Sequence, residues 1–244
     1  MITVSVDINY FRAIQGTLGI DNETQFQRED AKANLAWQLL ESVNCEHNAT
    51  RNGVPQKLIV TKTDNMRVMN VTAFPDEDLV IGDVLEFYNA HWIVIRLYAT
   101  DNIQKKGVAY QCNHKFKFQL GTSEIYERWG VIDSGVYSTT EKQGLIGSTP
   151  DQQYKLYMHK DEYTSKLSRD KRLATEIWYD IDGNQILSVY RITAYDSVSV
   201  SYIDGNLIEF KLRADQYIPS SDNIQEMICD YISPDAIEQG GVYW

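Results

Sequence analysis

Residues 79–129 constrain the fold more than any other stretch, because they form the densest run of strand-favouring residues in the chain. Segments 84–88 and 92–98 flank a short polar turn and predict a β-hairpin. Segment 108–118 then alternates larger, less polar side chains with polar ones, which predicts one long half-buried strand. A further strand over 123–131 completes a meander whose register is fixed by the alternation. The stretch contains no recognisable catalytic motif.

The composition excludes several classes of protein. With 23 Lys and Arg against 34 Asp and Glu, the 244-residue chain carries a formal net charge of −11. An acidic surface argues against a groove that grips the nucleic-acid backbone, although it is compatible with a repulsive wall near DNA. No run of about 18 apolar residues predicts a membrane span, and the first residues lack the basic start and apolar core of a signal peptide.

The cysteines suggest neither disulfides nor zinc. Cys45, Cys112 and Cys229 are too few and too scattered for a disulfide framework, so we expect synthesis in a reducing cytoplasm. Cys45 and Cys112 each precede a histidine by two positions, His47 and His114, which resembles half of a Cys2His2 zinc site in each case. The usual Cys-x-x-Cys spacing is missing. Residues two apart in a strand share a face, so we predict strand neighbours rather than metal ligands.

Other chemical motifs are equally weak. The segment 180–184, Asp-Ile-Asp-Gly-Asn, resembles a calcium loop but lacks the required Gly and Glu positions. Asp-Gly between β segments favours a type I′ hairpin turn instead, and Ile-Asp-Gly-Asn recurs at 203–206. No phosphate-binding loop, nucleophile elbow or zinc-protease helix appears. A glycosidase carboxylate pair stays open as an alternative in any β-rich chain. We expect no metal, no cofactor and no enzymatic activity.

One long helix is predicted over 23–43, near the N-terminus. Asp21 or Asn22 caps it, and acidic residues fill its early turns. Residues 1–20 alternate weakly and suggest an extended arm or edge strand. The expected apolar face of the helix consists of Phe26, Leu35, Trp37, Leu39 and Leu40.

Further β elements are predicted on both sides of the meander. A hairpin is expected over 58–72, with its turn at Asp64-Asn65. After the meander we predict a strand over 154–158 and a helical turn over 160–169. Further strands are predicted over 176–181, 185–194, 198–203 and 207–213, and a short helix over 223–231.

The predicted fold is mainly β with one N-terminal helix and two small antiparallel β modules, either barrel- or sandwich-like. Residues 134–151 combine several Gly with Ser, Thr and Gln, which suits a linker or a long exposed loop. We therefore predict an N-terminal arm, the helix and the first β module over 1–133. The second β module with a C-terminal tail is predicted over 152–244.

Two groups of residues carry a family resemblance. The first group comprises Gly82-Asp83, Tyr88-x-x-x-Trp92-Ile-Val, Lys106-Gly107, Gln111-Cys112-Asn113 and Phe116-Lys-Phe118. The second comprises Lys160-Asp-Glu-Tyr-Thr-Ser-Lys-Leu, Arg172 and Tyr190-Arg-Ile-Thr193. These signatures resemble small structural proteins of tailed bacteriophages that infect low-GC Gram-positive bacteria. The resemblance covers roughly residues 25–213 and excludes both termini.

The resemblance implies a connector, adaptor, stopper or minor capsid protein at the junction of phage head and tail. Such a protein is expected to form a ring of identical subunits and to contact other phage structural proteins, such as the portal and the tail. Double-stranded DNA is expected to pass through the lumen without specific binding, which the negative charge permits. The expected location is the virion after synthesis in the host cytoplasm, with no membrane contact.

A tail or baseplate β module that binds host-surface carbohydrate is the alternative. A solvent-exposed pocket lined by aromatic rings and amide or carboxylate side chains favours that alternative. Aromatic residues buried between subunits favour the connector. An enzyme requires a cleft with converging titratable groups.

The two termini are the predicted contact segments of the assembly. Residues 1–20 and 219–244 show little periodic apolar pattern, so we do not expect them to bury enough surface alone to offset their ordering entropy. An aromatic anchor in a partner's pocket is the usual hot spot of an interface. The interface candidates in or beside these segments are Tyr10, Phe11, Ile218, Tyr231, Tyr243 and Trp244.

Overall fold

The computed structural model describes residues 23–75, 77–98, 104–133, 153–201 and 205–234. In the described residues, strands account for 47% and one long α-helix lies near the N-terminus, which confirms the predicted mainly β fold class. The strands form two antiparallel sheets, one a half-barrel and one a nearly closed barrel.

The elements follow one another in chain order. Helix α1 spans Glu23–Leu40, and a 3₁₀ helix spans Thr164–Lys166. The strands are β1 (Cys45–Glu46), β2 (Thr50–Arg51), β3 (Val54–Pro55), β4 (Leu58–Lys62), β5 (Val68–Ala73), β6 (Val84–Phe87), β7 (Ala90–Leu97), β8 (Lys106–Gln111), β9 (His114–Phe118), β10 (Tyr126–Asp133), β11 (Gln153–His159), β12 (Arg172–Tyr179), β13 (Gln185–Asp196) and β14 (Leu207–Asp215).

Helix α1 ends at Leu40 rather than at position 43. Its last carbonyl groups accept hydrogen bonds from the following turn, in which Ser42 N–H donates to Leu39 O. Leu35, Leu39 and Leu40 are half-buried, as expected for the packed face. Trp37 is exposed and does not belong to that face. The Phe26 side chain lies outside the described part of the structure.

The first sheet has the strand order β1-β4-β5-β8-β7-β6-β2-β3. Both hairpins predicted for this region are present, since β4 pairs with β5 and β6 pairs with β7. The β6–β7 turn consists of Tyr88 and Asn89, whose φ angles of 53° and 56° are those of a type I′ turn. The buried core of this sheet consists of Ala49, Leu58, Val60, Met69, Val71, Ala73, Leu79, Leu85, Phe87, Trp92, Val94 and Ala109.

The second sheet has the strand order β12-β13-β14-β11-β10-β9. Its two edge strands, β12 and β9, lie next to each other, so the sheet curls into a nearly closed barrel. A barrel this small has an interior that side chains fill completely. The buried residues that fill it are Phe116, Phe118, Leu156, Met158, Leu167, Leu173, Ile192, Ile208, Phe210 and Leu212.

The chain passes from the first sheet to the second at Cys112 and Asn113. The single strand predicted over 108–118 is therefore wrong, since β8 and β9 belong to different sheets. Asn113 accounts for the break. Its Nδ2 donates to the carbonyl of Ile132 at 2.7 Å, and its Oδ1 accepts the N–H of Ile132 at 2.8 Å. The amide side chain thus stands in for backbone pairing that the crossing interrupts.

Residues 134–151, the predicted linker, lie outside the described ranges. The strands on either side of them, β10 and β11, pair with each other in the second sheet. The segment therefore connects two neighbouring strands of one sheet rather than the two sheets. Strands β9 and β10, which precede it, already belong to the second sheet.

Near the second Asp-Gly repeat, the predicted strand over 198–203 is wrong, whereas the strands predicted on either side are present. Residues 198–201 form bends and turns rather than the predicted strand, and 202–204 lie outside the described part. The Asp196 carboxylate explains the turn, because its Oδ1 accepts the N–H groups of Val198 at 2.9 Å and Ser199 at 3.0 Å. Strands β13 and β14 on either side are present as predicted, each slightly longer.

Two other local predictions are wrong in detail. The turn at 181–184 is not type I′, because only Gly183 has a positive φ, 82°, and a type I′ turn needs two such residues. The helix predicted over 223–231 is a tight turn closed by a β-bridge between Asn223 and Ile228. The short helical turn predicted over 160–169 is present as the 3₁₀ helix.

The two sheets contact each other through a small apolar cluster and one backbone crossing. Gly82, with φ 92°, lies at the crossing, and His159 Nδ1 hydrogen-bonds with its carbonyl at 2.8 Å. Asn206 N–H donates to the carbonyl of Ile81 at 2.6 Å. The buried residues of the cluster are Ile81, Ile93, Val131 and Leu207.

Candidate functional site

A cleft between the two sheets, with a volume of about 420 Å³, is the first candidate site. It contains an aromatic ring, two histidines, an amide, an arginine and several carboxylates. Such a mixture of apolar surface and polar groups is typical of binding clefts. The cleft is lined by Thr50, Asn52, Gly53, Val84, Glu86, His91, Glu127, Arg128, Trp129, His159 and Asp161.

Asp83 fixes the wall of the cleft that the first sheet supplies. Its carboxylate is fully buried and accepts hydrogen bonds from Arg51 Nε and Asn52 Nδ2, both at 2.7 Å. It also accepts the N–H of Val80 at 2.7 Å. Asn52 Oδ1 accepts the N–H of Val84 at 2.8 Å, so the amide is held on both sides. The Gly-Asp motif of the sequence is thus a buried anchor for the β2–β3 turn.

The aromatic floor of the cleft is a stacked pair from two sheets. The ring of His91 on β7 lies 4.3 Å from that of Trp129 on β10, with an interplanar angle of 17°. Glu86 Oε2 lies 3.9 Å from His91 Nε2. The histidine therefore covers one face of Trp129, and a flat ligand such as a sugar ring is left with the other face.

Arg128 and Asp161 form the charged wall of the cleft. Arg128 Nε donates to Asp161 Oδ2 at 2.5 Å, and the guanidinium lies over the ring of Tyr163. Asp161 Oδ1 accepts the N–H groups of Tyr163 at 2.9 Å and Thr164 at 2.7 Å. Burial raises the pKa of the Asp161 carboxyl, but the Thr164 and Arg128 hydrogen bonds outweigh burial and bring the pKa below its ordinary value. The pair is thus ionised and internally satisfied at neutral pH.

A second cavity, of about 300 Å³, lies in the second sheet where β9 approaches β12. His114, Glu176, Tyr154 and Tyr190 contribute to its lining, and the two tyrosine rings meet edge to face at 5.1 Å. Burial lowers the pKa of His114, which opposes its protonation near neutral pH. These side chains bring titratable groups together, but the hydrogen bonds among the described residues form no nucleophile–base–orienter arrangement here.

The hairpin formed by β12 and β13 exposes several apolar side chains at its tip. Trp178 is 56% exposed and Tyr179 is 66% exposed, while Ile181 is fully exposed. The turn that carries them is well ordered by Asp180, whose Oδ1 accepts the N–H groups of Asp182 at 3.0 Å and Asn184 at 2.8 Å. Hydrogen bonds from the side chain and backbone of Asn184 lower the pKa of Asp180. Ordered apolar side chains that no part of the described chain covers suit a contact with another molecule.

The structure describes two of the six predicted interface residues. Tyr10, Phe11, Tyr243 and Trp244 lie outside the described residues. Ile218 is partly exposed at 41%. Tyr231 is half-buried, and its N–H donates to Ser221 O at 2.7 Å.

The expectation that residues 219–234 need a partner in order to pack is wrong. Ile228 and Cys229 are buried, and Cys229 joins a cluster with Ala174, Leu187 and Val189 of the barrel. The side chain of Gln119 also holds this segment, since its Oε1 accepts the N–H of Ile232 at 2.7 Å and its Nε2 donates to Ile232 O at 3.0 Å.

Arg172 is the polar anchor of the same segment. It is 5% exposed, and its guanidinium donates to both carboxylate oxygens of Asp222 at 2.9 and 2.7 Å. Further bonds run to Asp230 Oδ1 at 2.8 Å and to Gln216 O at 2.7 Å. An Asp bound in a fork by a buried Arg gives geometric specificity. Sequence periodicity does not reveal this packing because the anchor is ionic and joins residues far apart in the chain.

No metal centre is found in the parts of the chain that the structure describes, where no group of three His, Cys, Asp or Glu side chains converges. Cys45 Sγ lies 3.9 Å from His47 Nδ1 in a turn of the first sheet. Burial raises the pKa of the Cys112 thiol to about 12, which disfavours the thiolate that a metal needs. The Asp180 carboxylate is already used by the hairpin turn.

Comparison with known proteins gives no match: no family model, no curated protein and no solved structure is similar to this chain. Within the described residues, no helix combines the length and the apolar character needed to cross a bilayer.

Sequence reasoning missed the cleft. Its walls come from β2, β6 and β7 of one sheet and from β10 and the region after β11 of the other. The one available signal was the run Glu127-Arg128-Trp129, which places two charges directly before an aromatic ring on a strand expected to be half-buried. The residues of the first sheet that face this run could not be identified from their spacing in the sequence.

Proposed function

We propose that the chain is a structural protein of a tailed bacteriophage, positioned at the head–tail junction. In this proposal identical subunits form a ring that connects the portal or head to the tail and lets DNA pass. The function is mechanical, so it needs stable modules and exposed contact surfaces rather than a reaction centre. Supporting it are the motif resemblance over residues 25–213 and the mainly β architecture of two sheets.

The exposed tip of the β12–β13 hairpin is the observation that carries the proposal. Trp178, Tyr179 and Ile181 are exposed apolar residues close together in the chain, at an ordered turn. Aromatic side chains on pre-ordered backbone are efficient interface anchors, because little conformational entropy is lost when they bind. In a ring each subunit offers such a tip to a neighbour or to the next protein along the axis.

The net charge fits a DNA conduit. At −11 the chain repels the phosphate backbone, which favours passage over binding. A protein meant to hold DNA in a fixed position needs clustered Lys and Arg, because phosphate contacts supply most of the affinity.

The test uses a phage that encodes this chain, with Ile181 and Trp178 both changed to Ser. We expect lysates to contain separate heads and tails in electron micrographs, while the purified variant keeps its unfolding midpoint. Met66→Ser is the matched control, since Met66 is an apolar residue, 87% exposed, in the β4–β5 turn. Normal infectious particles from the double variant would contradict the proposal.

A second candidate function, binding of host-surface carbohydrate, is favoured by the inter-sheet cleft. The cleft has the combination of an aromatic ring, an amide and carboxylates that sugar recognition uses, in Trp129, Asn52 and Glu127. Against it stands the His91 ring, which covers one face of Trp129.

A binding experiment with purified host cell walls distinguishes the two candidate functions. If the cleft binds carbohydrate, Trp129→Ala abolishes co-sedimentation and Ile181→Ser leaves it unchanged. If the junction role is correct, neither the wild-type chain nor the variants co-sediment with the walls.

A further inference from the structure

The two sheets differ in how their edges are protected. In the described part of the chain, the first sheet ends in β1 and β3, each of two residues, and β3 terminates in Pro55. Very short strands and proline are common devices that prevent an edge from pairing with another chain. The second sheet ends in β9, of five residues, and β12, of eight.

The residues that the structure describes protect strand β12 over only half of its length. Its first four residues are buried, and this half lies beside β9, where the side chain of His114 hydrogen-bonds with the backbone of Ala174. Its last four residues, 176–179, are exposed. A bulge between Ala174 and Glu176 marks the change.

The exposed half of β12 is an unusual edge. It carries Ile177, Trp178 and Tyr179, all large apolar or aromatic residues that are at least 40% exposed. Native proteins normally place lysine, proline or a covering element on such an edge, because its free N–H and C=O groups are a template for a further strand. The charges near it, Glu176 and Asp180, do not block the apolar positions between them.

Residues 2–10 have the side-chain pattern of a β-strand. Aliphatic or aromatic residues at even positions alternate with polar ones at odd positions over the whole segment. Residues 1–20 as a whole alternate only weakly, but the regular alternation confined to 2–10 is typical of a strand with one covered face. The even positions are Ile2, Val4, Val6, Ile8 and Tyr10.

We propose that residues 2–10 of one copy add as a strand to the open edge of β12, residues 176–179, in a second copy. This inference rests on the proposed ring, because each subunit then gives one arm and receives one, which is the head-to-tail contact that closes a ring. Backbone hydrogen bonds supply the affinity, and the even-numbered side chains of the arm pack beside the apolar residues on one face of the edge, either Ile177 and Tyr179 or Trp178. Pairing of β12 with β12 of a second copy is two-fold and stops at a dimer.

The experiment uses the full chain with Val4→Pro, which disables its own arm, together with a synthetic peptide of residues 1–11. Hydrogen exchange is followed at the amides of residues 176–179. We expect the peptide to slow the exchange of the outward-facing amides about tenfold or more at saturation. A peptide with Val4→Pro is the matched control and is expected to have no effect. Trp178→Lys in the receiving chain is expected to abolish the protection, because a charge on the edge opposes strand addition.

Dilution of the wild-type chain shows whether the arm bound to β12 comes from a second copy or from the same chain. Protection that fades as the chain becomes monomeric supports the second copy. Protection that persists in the monomer places the arm on its own chain and overturns the proposal. Absence of protection by the wild-type peptide, or protection that the Val4→Pro peptide reproduces, also overturns it. These readings need no phage particle, so they remain separate from the electron micrographs that test the junction role.

Discussion

Gly82 packs backbone against backbone on Asn206, so that a side-chain carbon added at Gly82 would lie 2.0 Å from the Asn206 carbonyl oxygen. The same Asn206 N–H donates to Ile81 O at 2.6 Å, and Lys160 N–H donates to Asn206 O at 2.7 Å. This contact joins the Gly-Asp turn of the first sheet to the chain entering β14 of the second. Glycine is required here for its positive φ and for the close approach.

Gly82→Ala is therefore expected to destabilise the protein more than an equivalent change elsewhere. Gly53 is the matched control, since its φ of 80° is similar and nothing lies within 4 Å of an added carbon. Backbone strain alone costs about 1 kcal/mol. The clash adds about 1–3 kcal/mol at Gly82. Urea unfolding of both variants measures the difference, and equal losses would show that the sheets do not depend on this contact.

Arg172→Met is expected to cost about 3–5 kcal/mol of unfolding free energy, because it leaves the buried Asp222 carboxylate without its partner. Arg191→Met is the control. Arg191 is 45% exposed and pairs with Asp215 at 2.9 Å, so its loss should cost about 1 kcal/mol or less. Thermal unfolding checks the ranking. Cys229, a buried residue of the same segment, should also react faster with thiol reagents in the Arg172 variant; an unchanged rate would mean that the segment stays packed without the arginine.

The stability of the barrel should fall as the pH drops below about 6.5, the ordinary pKa of histidine. Burial lowers the pKa of His114, so the unfolded chain binds this proton more readily than the folded chain. Glu176 partly opposes the shift, and Tyr154 and Tyr190 are the other titratable neighbours. In His114→Gln, the loss of stability between pH 7 and pH 5 should shrink by about 1 kcal/mol or less. His47→Gln, at an exposed histidine of the first sheet, is the matched control, and identical slopes for the two variants would refute the assignment.

Asn113→Ala is expected to lower the unfolding free energy by about 1 kcal/mol, since Ile132 loses both of its side-chain partners. Asn113→Asp separates the two bonds, because it keeps the acceptor for Ile132 N–H and removes the donor to Ile132 O. The unfolding free energy of the aspartate variant should lie between those of the wild type and the alanine variant, or below that of the alanine variant if its charge repels the carbonyl. Denaturant unfolding at pH 7 measures all three. No loss in the alanine variant would mean that water replaces the amide.

Individual strands were predictable where local patterning decides them. The hairpin of β6 and β7 needs no distant partner to be recognised, although its turn is Tyr88-Asn89 rather than the expected 89–91, and strand β11 needs none either. The prediction of a strand over 198–203 is wrong because the Asp196 carboxylate accepts two backbone N–H groups, which the local alternation of side chains does not reveal. The prediction that residues 219–234 need a partner in order to pack is wrong because of distant contacts. Arg172 and Gln119, far away in the sequence, hold this segment by hydrogen bonds.

The sequence by itself determined the fold class, the long helix near the N-terminus and most strand positions, because alternation and turn chemistry act over a few residues. Tertiary structure alone decided where the chain changes sheet, which is at Asn113, and which strands meet across the cleft. It also decided that β12 is left with an open half-edge. Those features depend on pairing between residues distant in the chain, and the side-chain pattern of a strand is the same whichever neighbour it has.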